Sequence, residues 1–499
     1  MTVTITMNPG YKWSDGKPVT SQDVAFDIDV IKAALKENFQ NWANYLGGGQ
    51  FPDDLASMST PDQSTLVLNL TAPVNPTWFV LDEIAGLQPM PAHVWAKASS
   101  GGGIIDFTVP SHAKMIYDYL ITQQNATSTW ATNPLWQVID GPYRLTSYNH
   151  TSGVTTLTAN RSYGGPDTHE ITALTLVPAA SDTAELTAFQ TGNIQAGYLP
   201  LTDAYLLSEA RSHGYVLFGY PQLGWEGALY NFKDTTGDFN HIVAQLYFRQ
   251  AMAHLQNQQQ YISSFLNGAG SPDYGPVAPL PATPYATDKD PYPFSLAAAR
   301  DLLASHGWNV VPNGTDTCAS PGSGTAQCGA GIPAGTKLAF NLVYANSAPI
   351  KQEVTALAAE AKQVGISITL VSSSFVTIIT TYDDAAYPAN DNKWAMEDFG
   401  GFTNSTYPTT YTVFNTSGIS NLGGYSDPQA NSLINASVSS TNPNAVADEA
   451  AYLTEQQPAL FQPNNDLLFA WKTTLSGPVN SFADLTQYYL NPEEWYYTK

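Results

Sequence analysis

Residues 338–371 constrain the fold more than any other stretch of this chain. An apolar run at 338–344 reads as a strand, 348–363 carries helical periodicity, and 366–371 reads as a second strand. Gly365 stops the intervening helix, because a residue without a Cβ tolerates the left-handed conformation common at helix ends. Strand, helix and strand in that order make a βαβ unit, in which the crossover sets two strands side by side and parallel. Helices then cover the sheet faces, so the expected class is α/β.

The rest of the chain alternates in the same way, with no fixed-period repeat. Residues 2–7, 64–70, 171–177 and 194–199 read as strands. Residues 21–35 read as a helix, with Thr20 or Ser21 as cap and Val24, Ile28, Ile31 and Leu35 at helical spacing. Further helices are expected near 183–191, at 248–266 and at 295–306, stopped by Gly192, by Asn267-Gly268 and by Gly307. Residues 271–293, rich in Pro, Gly and Tyr, read as a long ordered loop or linker. A chain of 499 residues exceeds one ordinary core, so two or three lobes are expected.

Charge narrows the function. Charged residues are 12% of the chain, 42 acidic against 19 basic, for a formal net charge of -23. Nucleic-acid phosphates and anionic membrane surfaces both need Lys and Arg partners, so neither is expected as a partner. Polar uncharged residues must build most of the surface, which suits an exported protein. The two cysteines, Cys318 and Cys328, lie in a loop-like stretch with no His or third Cys near enough to complete a zinc site. A local disulfide reads better than free thiols and implies an oxidising compartment. No run of 18 apolar residues is present. Met1 leads straight into a strand-like segment with no visible leader, so the chain is expected to begin inside a domain.

Motifs for catalysis are missing. There is no Gly-x-Ser-x-Gly elbow, no His-Glu-x-x-His and no phosphate-binding glycine loop. Acid pairs such as Asp53-Asp54, Asp383-Asp384 and Glu493-Glu494 read as solvated surface groups. Two well-placed carboxylates suffice for a glycosidase, so a secreted glycan hydrolase stays open as an alternative.

One ordered set of motifs points further. Trp13-Ser14-Asp15-Gly16-Lys17-Pro18-Val19-Thr20-Ser21-Gln22-Asp23-Val24 combines a tight turn with a capped helix start. Gly141-Pro142-Tyr143-Arg144-Leu145, Ala188-Phe189-Gln190-Thr191-Gly192-Asn193-Ile194-Gln195-Ala196, Phe248-Arg249-Gln250-Ala251, the helix end Leu302-Leu303 to Gly307-Trp308, and Gly424-Tyr425-Ser426-Asp427-Pro428 follow in order. Together they resemble the family 5 solute-binding proteins of peptide- and nickel-type ABC importers.

The resemblance implies a periplasmic-binding-protein-like α/β fold of cluster C type: two lobes joined by a hinge, plus an extra subdomain. It implies residues 1–165 as the extra subdomain, 166–240 with 472–499 as lobe one, and 241–471 as lobe two. The Trp13 motif lies well inside the extra subdomain in typical members, so the first strands of lobe one are expected to be missing. It also implies solute capture without catalysis or cofactor, a permease and ATPase complex as partners, a monomer, and an extracytoplasmic site with a lipoprotein anchor.

Peptide-binding members hold the ligand's amino terminus with an Asp in a Gly-Trp-x-x-Asp-Tyr-x-x-Pro segment. Here the matching stretch is Gly400-Gly401-Phe402-Thr403-Asn404-Ser405-Thr406-Tyr407-Pro408, with Gly401 for the Trp and Asn404 for the Asp. A neutral amide donates and accepts but cannot neutralise an ammonium, so an oligosaccharide stands beside a peptide as ligand. Phe402, Thr403, Asn404 and Tyr407 are the expected contacts. Trp225 and Trp394 are stacking candidates that could equally be core, and Tyr230 and Asn231 are hinge or cleft candidates. No metal constellation is visible.

Overall fold

The structure is a computed structural model that describes all residues except 167–169, 200–210, 278–288, 383–392, 479–489 and 499. The chain divides into two compact units. Unit 1 comprises Met1–Gly197, His213–Val216 and Trp471–Lys499; unit 2 comprises Tyr198–Ser212 and Leu217–Ala470.

Unit 1 begins with an antiparallel three-stranded sheet of β1 (Thr2–Thr6), β2 (Leu55–Asp62) and β3 (Thr65–Leu70), with β3 in the centre. Its first helix, α1 (Ser21–Glu37), packs on α2 (Pro110–Asn125) around Phe26, Val30, Trp95, Ala96 and Ile116. The Trp13-to-Val24 motif is explained by one buried carboxylate. Asp23 accepts from the backbone N–H of Thr20 at 2.8 Å, the Thr20 hydroxyl at 3.0 Å, the Trp13 indole at 3.3 Å and the backbone N–H of Ala92 at 2.9 Å. It therefore caps α1 and ties the turn and a distant segment to it. A second antiparallel sheet joins β4 (Tyr143–Tyr148), β5 (Thr155–Ala159) and β6 (Ala173–Leu176).

Unit 2 is built on a mixed sheet. β8 (Ala339–Ala345) lies parallel to β9 (Ser367–Ser373) and to β10 (Met396–Asp398), and α5 (Ala348–Gln363) makes the β8–β9 crossover. The βαβ unit expected from the sequence is present. β10 pairs antiparallel with β7 (Gly224–Tyr230), and β11 (Gly401–Thr403) continues along the same strand. On its other side β7 pairs with β12 (Ala459–Gln462). All seven residues of β7 are buried, which explains why no apolar–polar alternation marks it.

The helix expected over 248–266 is two, α3 (Leu246–Ala253) and α4 (Gln258–Ser264). The side chain of Asn257 accepts from the backbone N–H of Gln260 and restarts the helix, the local competition with helical bonding that Asn favours. Arg249 on α3 is buried, and its guanidinium donates to the carbonyls of Val243, Ala244 and Gln456. Cys318 and Cys328 are bonded, with Cα atoms 6.0 Å apart. The Cys328 carbonyl accepts from the Tyr247 hydroxyl at 2.6 Å, which itself accepts from the Trp308 indole at 2.7 Å, so the loop is moored to α3.

Between β10 and β11 the strand breaks at Phe399-Gly400, where the Gly400 carbonyl accepts from the Gly227 N–H at 2.7 Å. A Cβ on Gly401 would collide with the Trp225 carbonyl oxygen and lie 2.7 Å from the Glu226 Cα. Gly401→Ala is expected to destabilise unit 2 by about 2 kcal/mol or more, since overfilling a packed strand pair forces backbone shifts; denaturant unfolding followed by tryptophan fluorescence measures it.

Candidate functional site in unit 2

In open α/β sheets, ligands bind beyond the carboxyl ends of the parallel strands. In unit 2 these ends lead into Asn346-Ser347 before α5, into Ser374-Phe375 after β9, and into Phe399-Gly400 after β10. Ser374 caps the turn that follows β9, its hydroxyl accepting from the Thr377 N–H at 3.0 Å.

A ladder of aromatic rings runs from the core to this edge. Trp225 is 2% exposed and packs against Phe402 at 5.3 Å, Phe414 at 5.6 Å and Phe461 at 5.3 Å between ring centroids. Phe402 meets Phe399 at 5.4 Å, and Phe399 meets Phe375 at 6.3 Å. Phe375 is 51% exposed. An exposed ring seated on a buried aromatic stack offers a rigid apolar face to a solute.

Asn404 follows directly on this ladder and is half-buried. Its backbone N–H donates to the Leu223 carbonyl at 3.0 Å and its side-chain amide donates to the Pro276 carbonyl at 3.4 Å. Thr403 beside it is exposed. Tyr407 is buried, and its carbonyl accepts from the Ser405 hydroxyl and the Thr409 N–H.

The residues singled out from the sequence thus fall into two groups. Trp225, Phe402, Thr403, Asn404 and Tyr407 belong to the carboxyl-edge loop and the strand beneath it. Tyr230, Asn231 and Trp394 lie at the other end of β7, roughly 16 Å along the strand from Trp225 at the usual rise per residue. There, Asn231 donates from its side chain to the Trp394 carbonyl at 2.8 Å and from its backbone to the Ala395 carbonyl at 2.9 Å. Tyr230 and Trp394 are buried. Sequence reasoning missed Phe375 and Phe399, which stand at the ends of two different strands and meet only through the sheet.

Carboxyl groups are the other feature of this region. Glu226, beside Trp225 but on the opposite face of β7, points toward Gly400, where a Cβ would lie 3.1 Å from its Oε2. Asp398 accepts from the Gln462 amide at 2.9 Å and the Gly400 N–H at 3.1 Å. Burial pushes the Glu226 carboxyl up to about 8 with the Asp398 charge adding to it, and burial pushes Asp398 up to about 6 against those two donors.

Among the described residues, this arrangement contains no nucleophile with an adjacent base and no group of three or more metal-ligating side chains. The family model of bacterial extracellular solute-binding proteins, family 5 Middle, matches residues 1–421, and the chain belongs to that family. The family consists of extracytoplasmic binding proteins of transport systems rather than enzymes. Among the described residues, no helix is long and apolar enough to cross a membrane.

The chain is 25% identical to Protein XP55 of Streptomyces lividans over 479 residues, covering 94% of this chain and 72% of that one. It spans 55% to 60% of the length of further curated relatives. In fold it is similar to the oligopeptide-binding protein AppA from Bacillus subtilis in complex with a nonapeptide, with a TM-score of 0.71 and 18% identity over 100% of this chain and 87% of that one. It is equally similar to NikZ from Campylobacter jejuni in complex with Ni(L-His), with a TM-score of 0.71 and 16% identity over 99% and 88%. The two-lobed α/β class implied by the motifs is therefore the observed one.

Trp225 anchors the ladder. Trp225→Ala is expected to cost about 3–5 kcal/mol, the usual range for emptying a large aromatic site, read as a lowered denaturant midpoint of unit 2.

Proposed function

We propose that the chain is the capture component of an ABC importer, and that the carboxyl edge of unit 2's sheet holds a peptide or similar oligomeric solute for delivery to a permease and ATPase complex. The observation that carries this reading is the aromatic ladder that runs from Trp225 through Phe402 and Phe399 to exposed Phe375 at that edge. Trp225 stiffens that ladder from below. The division into 1–165, 166–240 with 472–499, and 241–471 is our proposal for subdomain and lobes. We take the protein to act as a monomer outside the cytoplasm, anchored through a lipoprotein signal, with the disulfide formed there.

An oligosaccharide is the second reading. Asn404 favours it, because an amide pairs with hydroxyls in both directions while leaving a peptide's ammonium without a counter-charge. A thermal-shift screen of oligopeptides against oligosaccharides separates the two. A ligand at a hundredfold excess over its Kd stabilises by about 2.7 kcal/mol, and one class is expected to shift the melt while the other does not. If the solute is a free-amino peptide, Asn404→Asp is expected to tighten it about tenfold, the worth of one charge-assisted bond at roughly 1.5 kcal/mol. Calorimetric titration reads the change. Unchanged affinity for every ligand would remove Asn404 from the site, and hydrolysis products on incubation would end the binding-only reading.

A further inference from the structure

Four carboxyl side chains from four separate segments of unit 2 gather beneath its sheet: Glu226 on β7, Asp398 on β10, Glu353 on α5, and Asp273 in the stretch after α4. All four are buried. Gln462 on β12 donates to Asp398, and backbone N–H groups serve Asp398 and Asp273. Among the described residues, Glu353 Oε1 and Asp273 Oδ2 have no hydrogen-bond partner.

Among the described residues, no cation faces the group. On α5, Lys351 and Lys362 are exposed, and Glu360 accepts from the Tyr261 hydroxyl of α4 at 2.7 Å. α4 contributes Gln258 and Tyr261, the stretch after it Asp273 and Tyr274, and β8 contributes Tyr344. Glu397, next to Asp398 on β10, projects to the opposite face by strand alternation. The one buried basic side chain among the described residues, Arg249, is bonded to backbone carbonyls instead. Four charged carboxylates packed in this way would repel one another without a counter-ion.

We propose that unit 2 is packed with this carboxyl cluster in its neutral, protonated form, and that the solute-binding unit is built to work in an acidic medium and loosens as the medium turns alkaline. The inference does not depend on which solute is bound. The electrostatics agree: burial raises all four groups, with Asp398 and Glu226 adding to Glu353, and Glu226 adding to Asp273. A raised carboxyl is neutral in both folded and unfolded chains at low pH, so nothing is lost there. Between its unfolded value near 4 and its folded value, only the unfolded chain releases the proton, so stability falls as pH rises through that window. The same arrangement recurs at Glu449, which is fully buried and pushed up to about 8 chiefly by burial, and at Glu83 in unit 1, whose two oxygens have no partner among the described residues. The scarcity of surface charge fits as well, since a chain with few ion pairs loses little when its carboxylates are neutralised.

The test is the melting temperature of the full chain between about pH 5 and about pH 9, a range that spans the values to which Glu226 and Asp398 are pushed. Wild type is expected to melt several degrees lower at the alkaline end. Glu353→Gln and Glu226→Gln, which keep the shape and remove the ionisation, are expected to reduce that fall, while Glu455→Gln at an exposed site falls as wild type does. A wild-type melt that is level or rises with pH overturns the proposal, and so does a fall of wild-type steepness in both cluster variants. Should either variant fail to fold, infrared spectroscopy of the wild type decides. The carbonyl stretch of protonated carboxyls is expected at neutral pH and is expected to fade on the alkaline side; its absence at neutral pH contradicts the proposal.

Discussion

Unit 2 depends on the burial of β7. Seven consecutive residues are inaccessible, and their backbone is bonded on one side to β10 and β11 and on the other to β12. A central strand with no exposed face must have partners for its backbone on both edges. Gly401 permits the closest of these approaches, and the break at Phe399-Gly400 sends the chain from the sheet into the loop that carries Thr403 and Asn404. The geometry of the candidate site follows from a packing requirement in the core.

β7 also sorts the chemistry of unit 2. Its odd-numbered positions send Trp225 into the aromatic cluster with Phe402, Phe414 and Phe461. Its even-numbered positions send Glu226 to the face that Asp398, Glu353 and Gln462 share. One strand thus separates a rigid apolar stack, suited to presenting Phe375 to a solute, from a set of neutral acids that respond to the medium.

Much of the fold was legible in the sequence because its signals are local. The βαβ unit at 338–371, the capped helix at α1 and the stop at Gly307 all rest on periodicity and end residues. The single helix read over 248–266 failed at Asn257, whose side chain restarts the helix within the polar run Gln256-Asn257-Gln258-Gln259-Gln260. β7 left no alternation to find, since both its faces are buried. The loop with Phe402 and Asn404 was marked by its match to the segment Gly-Trp-x-x-Asp-Tyr-x-x-Pro. Phe375 and Phe399 escaped because a shared sheet edge, rather than spacing, brings them together. The carboxyl cluster escaped for the same reason: four acids scattered from 226 to 398 share no spacing, and only the fold collects them.

The central claim is that solute is held at the carboxyl edge of unit 2's sheet. Hydrogen exchange, followed by mass spectrometry on the full chain with and without a saturating stabilising ligand, tests it most directly. The account predicts slowed exchange in the peptides covering 374–377 and 399–408. Protection confined to unit 1, or none at all under saturation, would contradict it.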